Sequence, residues 1–243
     1  MPPKTPLVSI SIVSHGQRDL IKNLLDDLDR LYADDFELLL TLNIPEDESP
    51  YLHRPYPTKI IRNPRPKGFG ANHNEAFKHC GGTYFAVVNP DIRLLALDWS
   101  DLLGPFAQPT VGVVAPKVTS PEGVIEDGVR RFPTFIRFIK RVVLRQRTSD
   151  YIWGDVPFEI DWAAGMFLLF RPDAFIKIKG FDDRRFFMYL EDADICRRVW
   201  KFGFTVIANP KVDVIHAAQR ASRKSLKHLR WHSISAVRYL TGL

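Results

Sequence analysis

Polar and apolar residues alternate over Val8-Ser-Ile-Ser-Ile-Val13, most of them β-branched at the apolar positions, and this period of two predicts a first strand. The period then lengthens. Leu20, Ile21, Leu24, Leu25, Leu28 and Leu31 share one face of a helix spanning residues 18–31. Phe36–Leu42 is a short, nearly unbroken apolar run and predicts a second strand; Lys59–Ile61 predicts a third within the Pro-rich stretch 45–66. Gly68-Phe-Gly70 leads into a helix over residues 71–80, and Tyr84–Val88 reads as a buried strand stopping at Asn89-Pro-Asp91. Alternating strands and helices predict an α/β fold, a three-layer α/β/α sandwich around a mainly parallel central sheet.

The second half is more mixed. Val111–Val114, Ala164–Phe170 and Thr205–Ile207 are expected strands, 192–202 a helix, and 222–240 a terminal helix rich in Lys, Arg, Trp and His. With no internal repeat and no low-complexity linker, residues 1–220 read as one domain. Residues 221–243 read as a basic C-terminal helix, packed on that domain or lying at a membrane surface.

Composition places the chain among soluble globular proteins: 45% hydrophobic and 26% charged residues leave neither a disordered nor a membrane-spanning class in play. No apolar run approaches the length of a transmembrane helix. Met1-Pro-Pro-Lys-Thr-Pro6 lacks the apolar core of an export signal. Cys80 and Cys196 form neither a metal-spaced motif nor a disulfide framework, which fits a reducing cytoplasm. Charge changes the picture more. Residues 130–147 hold seven Lys/Arg and residues 217–243 hold six, with no acid in either, leaving 21 basic against 28 acidic side chains elsewhere. Two local basic patches point to an anionic partner. Over Thr134–Arg145, Phe135, Ile136, Phe138, Ile139, Val142 and Val143 interleave with Arg137, Lys140, Arg141 and Arg145, a composition suited to an anionic bilayer surface or to a core-packed helix with a solvated basic face.

Chemistry is expected beyond the carboxyl ends of the strands, where parallel sheets bind ligands. The segments after residues 13, 42 and 88 fall there. Asn89-Pro-Asp91 supplies hard oxygen donors suited to Mg²⁺ or Mn²⁺ shared with a diphosphate; an Asx-Pro turn accounts for the same three residues. His216 closes the run Val-Asp-Val-Ile-His as a possible further ligand. Gly68, Gly70 and Asn74 open a helix whose free N–H groups suit an anion, although the spacing is neither a P-loop nor a dinucleotide fingerprint. Ser14-His15-Gly16 is equally open to a capping role. Glu191-Asp192 begins a helix just after an aromatic run, where a carboxylate is favoured and fixed in direction; Asp194 and Arg198 are spaced for an i,i+4 ion pair.

Taken in order, Ile12-Val-Ser-His-Gly16, Gly68-Phe-Gly-Ala-Asn-His-Asn74, Val88-Asn-Pro-Asp-Ile92, Arg130-Arg-Phe-Pro133, Asp161-Trp-Ala-Ala-Gly-Met166, Gly180-Phe-Asp182, Phe187-Met-Tyr-Leu-Glu-Asp-Ala-Asp194 with Arg198, His216 and Arg230-Trp-His232 resemble the inverting family 2 glycosyltransferases of the GT-A fold. The match is closest to bacterial rhamnosyltransferases of lipid-linked surface polysaccharides. The resemblance implies a nucleotide-sugar pocket lined by Ser14, His15, Asn43, Gly68, Phe69, Gly70, Asn74, Asn89 and Asp91. It implies a divalent cation, Mg²⁺ or Mn²⁺, on Asp91 with His216 a further ligand, and Asp192 as the general base with Glu191 its nearest competitor. Asp161, Trp162 and Gly165 would shape the acceptor side, and Arg198 would brace the catalytic helix through Asp194. The implied donor is dTDP-rhamnose and the implied acceptor a saccharide on polyprenyl diphosphate, at the inner face of the cell membrane and with no nucleic acid involved. The chain departs from the family pattern at Asn89, where many members carry Asp, and at Thr41-Leu42-Asn43, where many carry a base-reading Asp. A non-catalytic binder of anionic polymers on a degenerate transferase fold is the alternative; a sugar-nucleotide pyrophosphorylase would need a Gly-rich basic loop that Ser14-His15-Gly16-Gln17 does not provide.

Overall fold

The computed structural model describes residues 5–32, 35–137, 149–217 and 226–242. In chain order the elements are β1 (Val8–Ser14), α1 (Arg18–Leu31), β2 (Phe36–Leu42), β3 (Thr58–Arg62), α2 (Phe69–Phe77), β4 (Tyr84–Val88), β5 (Ile92–Arg93), α3 (Trp99–Leu103), β6 (Val111–Thr119), β7 (Val129–Arg130), β8 (Phe158–Glu159), β9 (Trp162–Ala163), β10 (Phe167–Phe170), α4 (Pro172–Lys177), α5 (Glu191–Lys201), β11 (Thr205–His216) and α6 (Leu226–Thr241). The central sheet runs β3-β2-β1-β4-β10-β6-β11-β5, with β8 also on β11; β7 and β9 pair separately.

The long pairings are parallel: β1 with β2 and β4, β2 with β3, and β6 with β11. Strand β10 enters antiparallel between β4 and β6. The alternation read in β1 sorts its side chains between the two faces. Val8, Ile10 and Ile12 join Leu24, Leu25 and Leu28 of α1 in one core. Ser9 and Ser11 face the other way, where Ser11 Oγ meets His73 Nδ1 of α2 at 2.8 Å. Strand β2 is apolar on both faces because both are covered: Leu38 and Leu40 lie in the first core and Leu39 in the second, with Phe85 and Val87. Burying each such side chain is worth about 1.5–3 kcal/mol.

Several elements exceed or escape the sequence pattern. Strand β11 continues to His216, and β6 to Thr119, through residues whose periodicity is broken by Pro210 and Pro116. The five-residue helix α3 carries too short a pattern to read, although Asp98 caps it by accepting from Ser100 N at 2.7 Å. Helix α2 starts at Phe69 rather than 71. Most of the amphipathic segment expected over 134–145 lies outside the described residues, as do Arg223 and Lys224. Helix α6 packs on the domain: Trp231 stacks near Phe187 (4.9 Å between ring centres), and Ser235 Oγ donates to Met188 O at 2.8 Å. No described helix is long and apolar enough to cross a membrane.

Candidate active site

Parallel pairing brings the ends of β1, β2 and β4 to one edge, with Ser14 beside Leu42 and Ile12 beside Val88. Past β4 the chain turns, Ile92 N donating to Asn89 O at 3.2 Å, so the Asn89-Pro-Asp91 motif is a turn as well as a presenter of Asp91. Strand β5 then pairs antiparallel with the end of β11, setting Ile92 against His216, and Ala217 N donates to Asp91 O at 2.8 Å. Asp27 on α1 fixes this short strand. Its buried carboxylate accepts from Arg93 Nε (2.6 Å), Arg93 Nη2 (2.9 Å) and Leu94 N (3.0 Å). Desolvation opposes its charge, but these bonds outweigh it and hold its carboxyl below the usual range.

The register leaves Asp91 Oδ2 3.0 Å from His216 Nε2, while His216 Nδ1 lies 2.8 Å from Glu126 Oε2. Burial works against a charge on His216, yet the hydrogen bonds and charges of Asp91 and Glu126 prevail and raise its pKa to about 9. The second Asp91 oxygen, Oδ1, is buried without a hydrogen-bond partner. Among the described residues no cluster of three or more His, Cys, Asp or Glu forms a metal cage. One carboxylate with a spare oxygen and one imidazole nonetheless fit a cation that takes most of its remaining ligands from a diphosphate and water.

Glu191 and Asp192 open α5 from a strained approach. Tyr189 (φ 72°) and Leu190 (φ 63°) both occupy the left-handed region, at a cost of order 1 kcal/mol or more each, and such strain gathers at functional sites. The two carboxylates differ in access. Glu191 is 6% exposed, with Oε2 buried and unpartnered, whereas Asp192 is half-buried. Asp192 Oδ2 accepts from Gly165 N at 3.1 Å and Oδ1 from Ala193 N at 2.8 Å. Burial pushes both carboxyls up. Glu191 reaches about 8, the Asp192 charge adding to the effect, while Asp192 is drawn back by those N–H groups and the charge of Arg130. Glu191 is thus the more deeply buried carboxyl and Asp192 the more accessible one, with the N–H groups of Gly165 and Ala193 favouring its charged form.

Asp194, almost fully buried, accepts from Arg198 Nε at 2.8 Å, the expected ion pair. Arg198 Nη1 also donates to Ile178 O and Gly180 O, both at 2.6 Å, so one side chain ties α5 to the end of α4. Asp161 accepts from Phe132 N (2.7 Å) and Tyr151 Oη (2.9 Å), and Trp162 Nε1 donates to Arg131 O (3.0 Å) beneath the Arg130 guanidinium. These two residues hold the 130–132 segment against β9.

The nucleotide-side residues also make contacts within the protein. Asn43 is buried, and its amide is consumed: Oδ1 accepts from Asn63 Nδ2 (2.9 Å) and Lys67 N (2.8 Å), and Nδ2 donates to Lys67 O (3.0 Å). These bonds tie β2 to the 63–67 loop. Packing leaves no room for a side chain at Gly68 or Gly70: a Cβ at Gly68 would lie 2.4 Å from Phe187 O, and one at Gly70 2.6 Å from Phe181 Cβ. Phe69 packs edge-on to His73 and Phe181. Asn74 pairs reciprocally with the backbone of Phe181, donating to its O and accepting from its N at 2.8 Å each. Ser14 is buried at the end of β1, and His15 is exposed beside Asn43 (Nδ1 to Nδ2, 3.3 Å). Asn89 donates its N–H to Met166 O at 2.9 Å.

Glu126 and Asp27 escape a reading of the sequence. Glu126 has no motif around it; the Gly123 turn between alternating residues is the one signal that would have folded it back along β6.

Against known proteins, residues 9–168 match the model of the family described as "Glycosyl transferase family 2". The chain is 30% identical over 256 residues to Rhamnosyltransferase WbbL of Escherichia coli, covering 96% of this chain and 92% of that protein. It is also 30% identical over 165 residues to the N-acetylglucosaminyl-diphospho-decaprenol L-rhamnosyltransferase of Mycobacterium tuberculosis, a match spanning 63% of this chain but only 53% of the mycobacterial protein. Among solved structures, the mannosyltransferase PcManGT from Pyrobaculum calidifontis in complex with GDP-Man and Mn²⁺ superposes with a TM-score of 0.62 at 19% identity, over 98% of this chain and 66% of that one. GalNAc-T7 with UDP, GalNAc and Mn²⁺ gives 0.68 at 13% identity, over 88% and 44%. At such identities these likenesses speak for the fold alone. The family match extends over more than half of the sequence and runs through the strand ends that carry Ser14 and Asp91, so the chain belongs to glycosyl transferase family 2 and is a glycosyltransferase of the GT-A fold.

Proposed function

We propose that this enzyme transfers L-rhamnose from dTDP-β-L-rhamnose to a hydroxyl of a saccharide carried on polyprenyl diphosphate, with inversion at the anomeric carbon. The observation that carries the reaction type is the tie between two carboxylates. Gly165 N donates to Asp192, and the next residue, Met166, accepts from Asn89 N beside Asp91. One turn thus sets a diphosphate-side carboxylate and an acceptor-side carboxylate in fixed relation, as a single displacement needs.

Asp192 is the general base: it is half-buried and held by two N–H donors that favour its charged form, and it takes the acceptor proton as the new bond forms. Glu191, buried and protonated, keeps the second negative charge away from it. Asp91 and His216 would hold a divalent cation, which neutralises the charge growing on the departing diphosphate. Direct displacement through an oxocarbenium-like state needs no covalent nucleophile.

The sugar and the lipid carrier rest on the names of the curated relatives, one of them a rhamnosyltransferase matched over nearly its whole length. Membrane attachment is supported by exposed Phe135, Ile136 and Ile152 beside Arg131 and Arg137, apolar and basic groups that suit an anionic lipid surface. A thermal-shift screen against dTDP-, UDP- and GDP-sugars, with and without Mn²⁺, tests the donor, because a ligand of the folded state raises stability by mass action. Metal-dependent stabilisation greatest with dTDP-rhamnose is expected; a stronger response to another sugar nucleotide would overturn the rhamnose assignment while leaving the family intact.

A further inference from the structure

We propose that Glu126 is a positioning residue that holds His216 in its cation-binding tautomer; the inference rests on the reading of Asp91 and His216 as cation ligands. Glu126 reaches His216 through a hairpin. After β6, Gly123 N donates to Ser120 O (2.9 Å), Ser120 N to Val124 O (2.8 Å) and Glu126 N to Val118 O (2.8 Å). Gly123 takes the left-handed φ of +79° that this turn requires. The hairpin lays residue 126 back along β6, whose own partner is the end of β11, with Thr119 beside Ile215. Two sequence-distant residues thereby meet, Glu126 Oε2 and His216 Nδ1 at 2.8 Å across 90 positions.

A carboxylate only accepts, so the Nδ1 atom facing Glu126 carries the hydrogen. The same rule holds at Nε2: with no cation bound, the ring carries a hydrogen there too and donates it to Asp91 Oδ2, 3.0 Å away. A cation held between these two atoms takes the place of that hydrogen and leaves Nδ1–H donating to Glu126. Their spacing suits one, since bonds of about 2.1 Å at right angles put neighbouring octahedral ligands about 3.0 Å apart. Without Glu126 the ring is free to take the other tautomer, give Nε2–H to Asp91, and close the site with a hydrogen bond. Among the neutral forms of the ring, Glu126 therefore favours the one that can act as a ligand. The hairpin does not need the side chain for this, because its hydrogen bonds run through backbone. Outer partners of this kind typically change metal affinity by about 10–100-fold.

The test is a Mn²⁺ titration of the full chain with dTDP present, read as loss of the free-ion electron paramagnetic resonance signal, with the melting temperature recorded alongside. Glu126→Ala should bind Mn²⁺ about 10–100-fold more weakly than wild type. Glu126→Gln, which still accepts from Nδ1 but without the charge, should fall between the two. A Glu126→Ala protein that is folded and binds within twofold of wild type overturns the inference. Should that variant not fold, Glu126→Gln decides, and affinity within twofold of wild type overturns it equally. Wild-type protein that takes up no Mn²⁺ with dTDP would remove the ligand reading of Asp91 and His216 and this inference with it, whereas tight wild-type binding that survives in the variants would remove this inference alone.

Discussion

The backbone N–H of Gly165 points at the Asp192 carboxylate, 3.1 Å from Oδ2, from the turn that joins β9 to β10. A Cβ at that position would meet the Phe69 ring at 3.1 Å, a tight contact that requires the ring to shift. The hydrogen bond favours the ionised carboxylate and fixes its direction, and through Met166 the same turn grips the strand end that bears Asp91.

Asp192→Asn removes the proton acceptor while keeping shape. Turnover should fall by about 10²–10⁴-fold, the usual worth of a positioned base. Donor binding, measured by calorimetry with the intact sugar nucleotide, should stay within a few-fold. Turnover retained at more than a tenth of wild type would assign the base elsewhere, with Glu191 the first alternative.

The raised Glu191 pKa has a signed consequence. Between the ordinary glutamate value of 4.5 and about 8, the folded protein holds a proton that the unfolded chain has released. The associated stability is fully present below pH 4.5 and is lost as pH rises through about 8. Urea midpoints of wild type should therefore fall across that interval relative to Glu191→Gln, which lacks the titration. Parallel curves for the two proteins would show that Glu191 is not held protonated.

Gly68→Ala discriminates packing from phosphate binding at the start of α2. Its Cβ would sit 2.4 Å from the Phe187 carbonyl oxygen, which is backbone and yields little. A loss of about 1–3 kcal/mol in denaturant unfolding is expected. A variant of unchanged stability but weakened nucleotide binding would restore the anion-cradle role.

Arg198→Ala should destabilise by about 3–5 kcal/mol, because it strands the buried Asp194 charge with only the longer Arg185 contact (3.7 Å). Arg198→Lys restores charge but cannot span Asp194 and two carbonyl oxygens together, so it should recover only part of the loss. Chemical denaturation of the three proteins decides; equal stability of Lys and Arg would reduce the role to charge alone.

Ser235→Ala deletes the hydrogen bond from α6 to Met188 O, just ahead of the strained Tyr189-Leu190 pair. A cost of about 1 kcal/mol is expected, with faster amide hydrogen exchange confined to residues 185–192. Exchange unchanged there would mean that α6 does not hold the approach to Asp192.

Local pattern and tertiary structure contributed different things to this protein. Elements with long, regular periodicity were legible in sequence: β1 and α1 because alternation and the helical repeat each persist, β2 and β4 because their apolar runs are bounded by turn residues, and the Asp194–Arg198 pair because four positions along a helix are neighbours wherever that helix lies. The order of strand ends along one edge also follows from alternating strands and helices, and it placed Asp91 at the right edge of the sheet. What the sequence by itself could not determine was which polar groups are left over once the chain has packed. Asn43, Asn74, Gly68 and Gly70 look free as residues, but Asn43 is bonded to Asn63 and Lys67, and close approach of the 67–74 and 181–187 segments engages the other three. Glu126 looks idle, but the antiparallel turn of one hairpin and the β5–β11 register carry it to His216 and His216 to Asp91. Hydrogen-bond availability and pairwise distance are properties of the closed packing, set by contacts between positions up to 125 residues apart, and no local pattern encodes them.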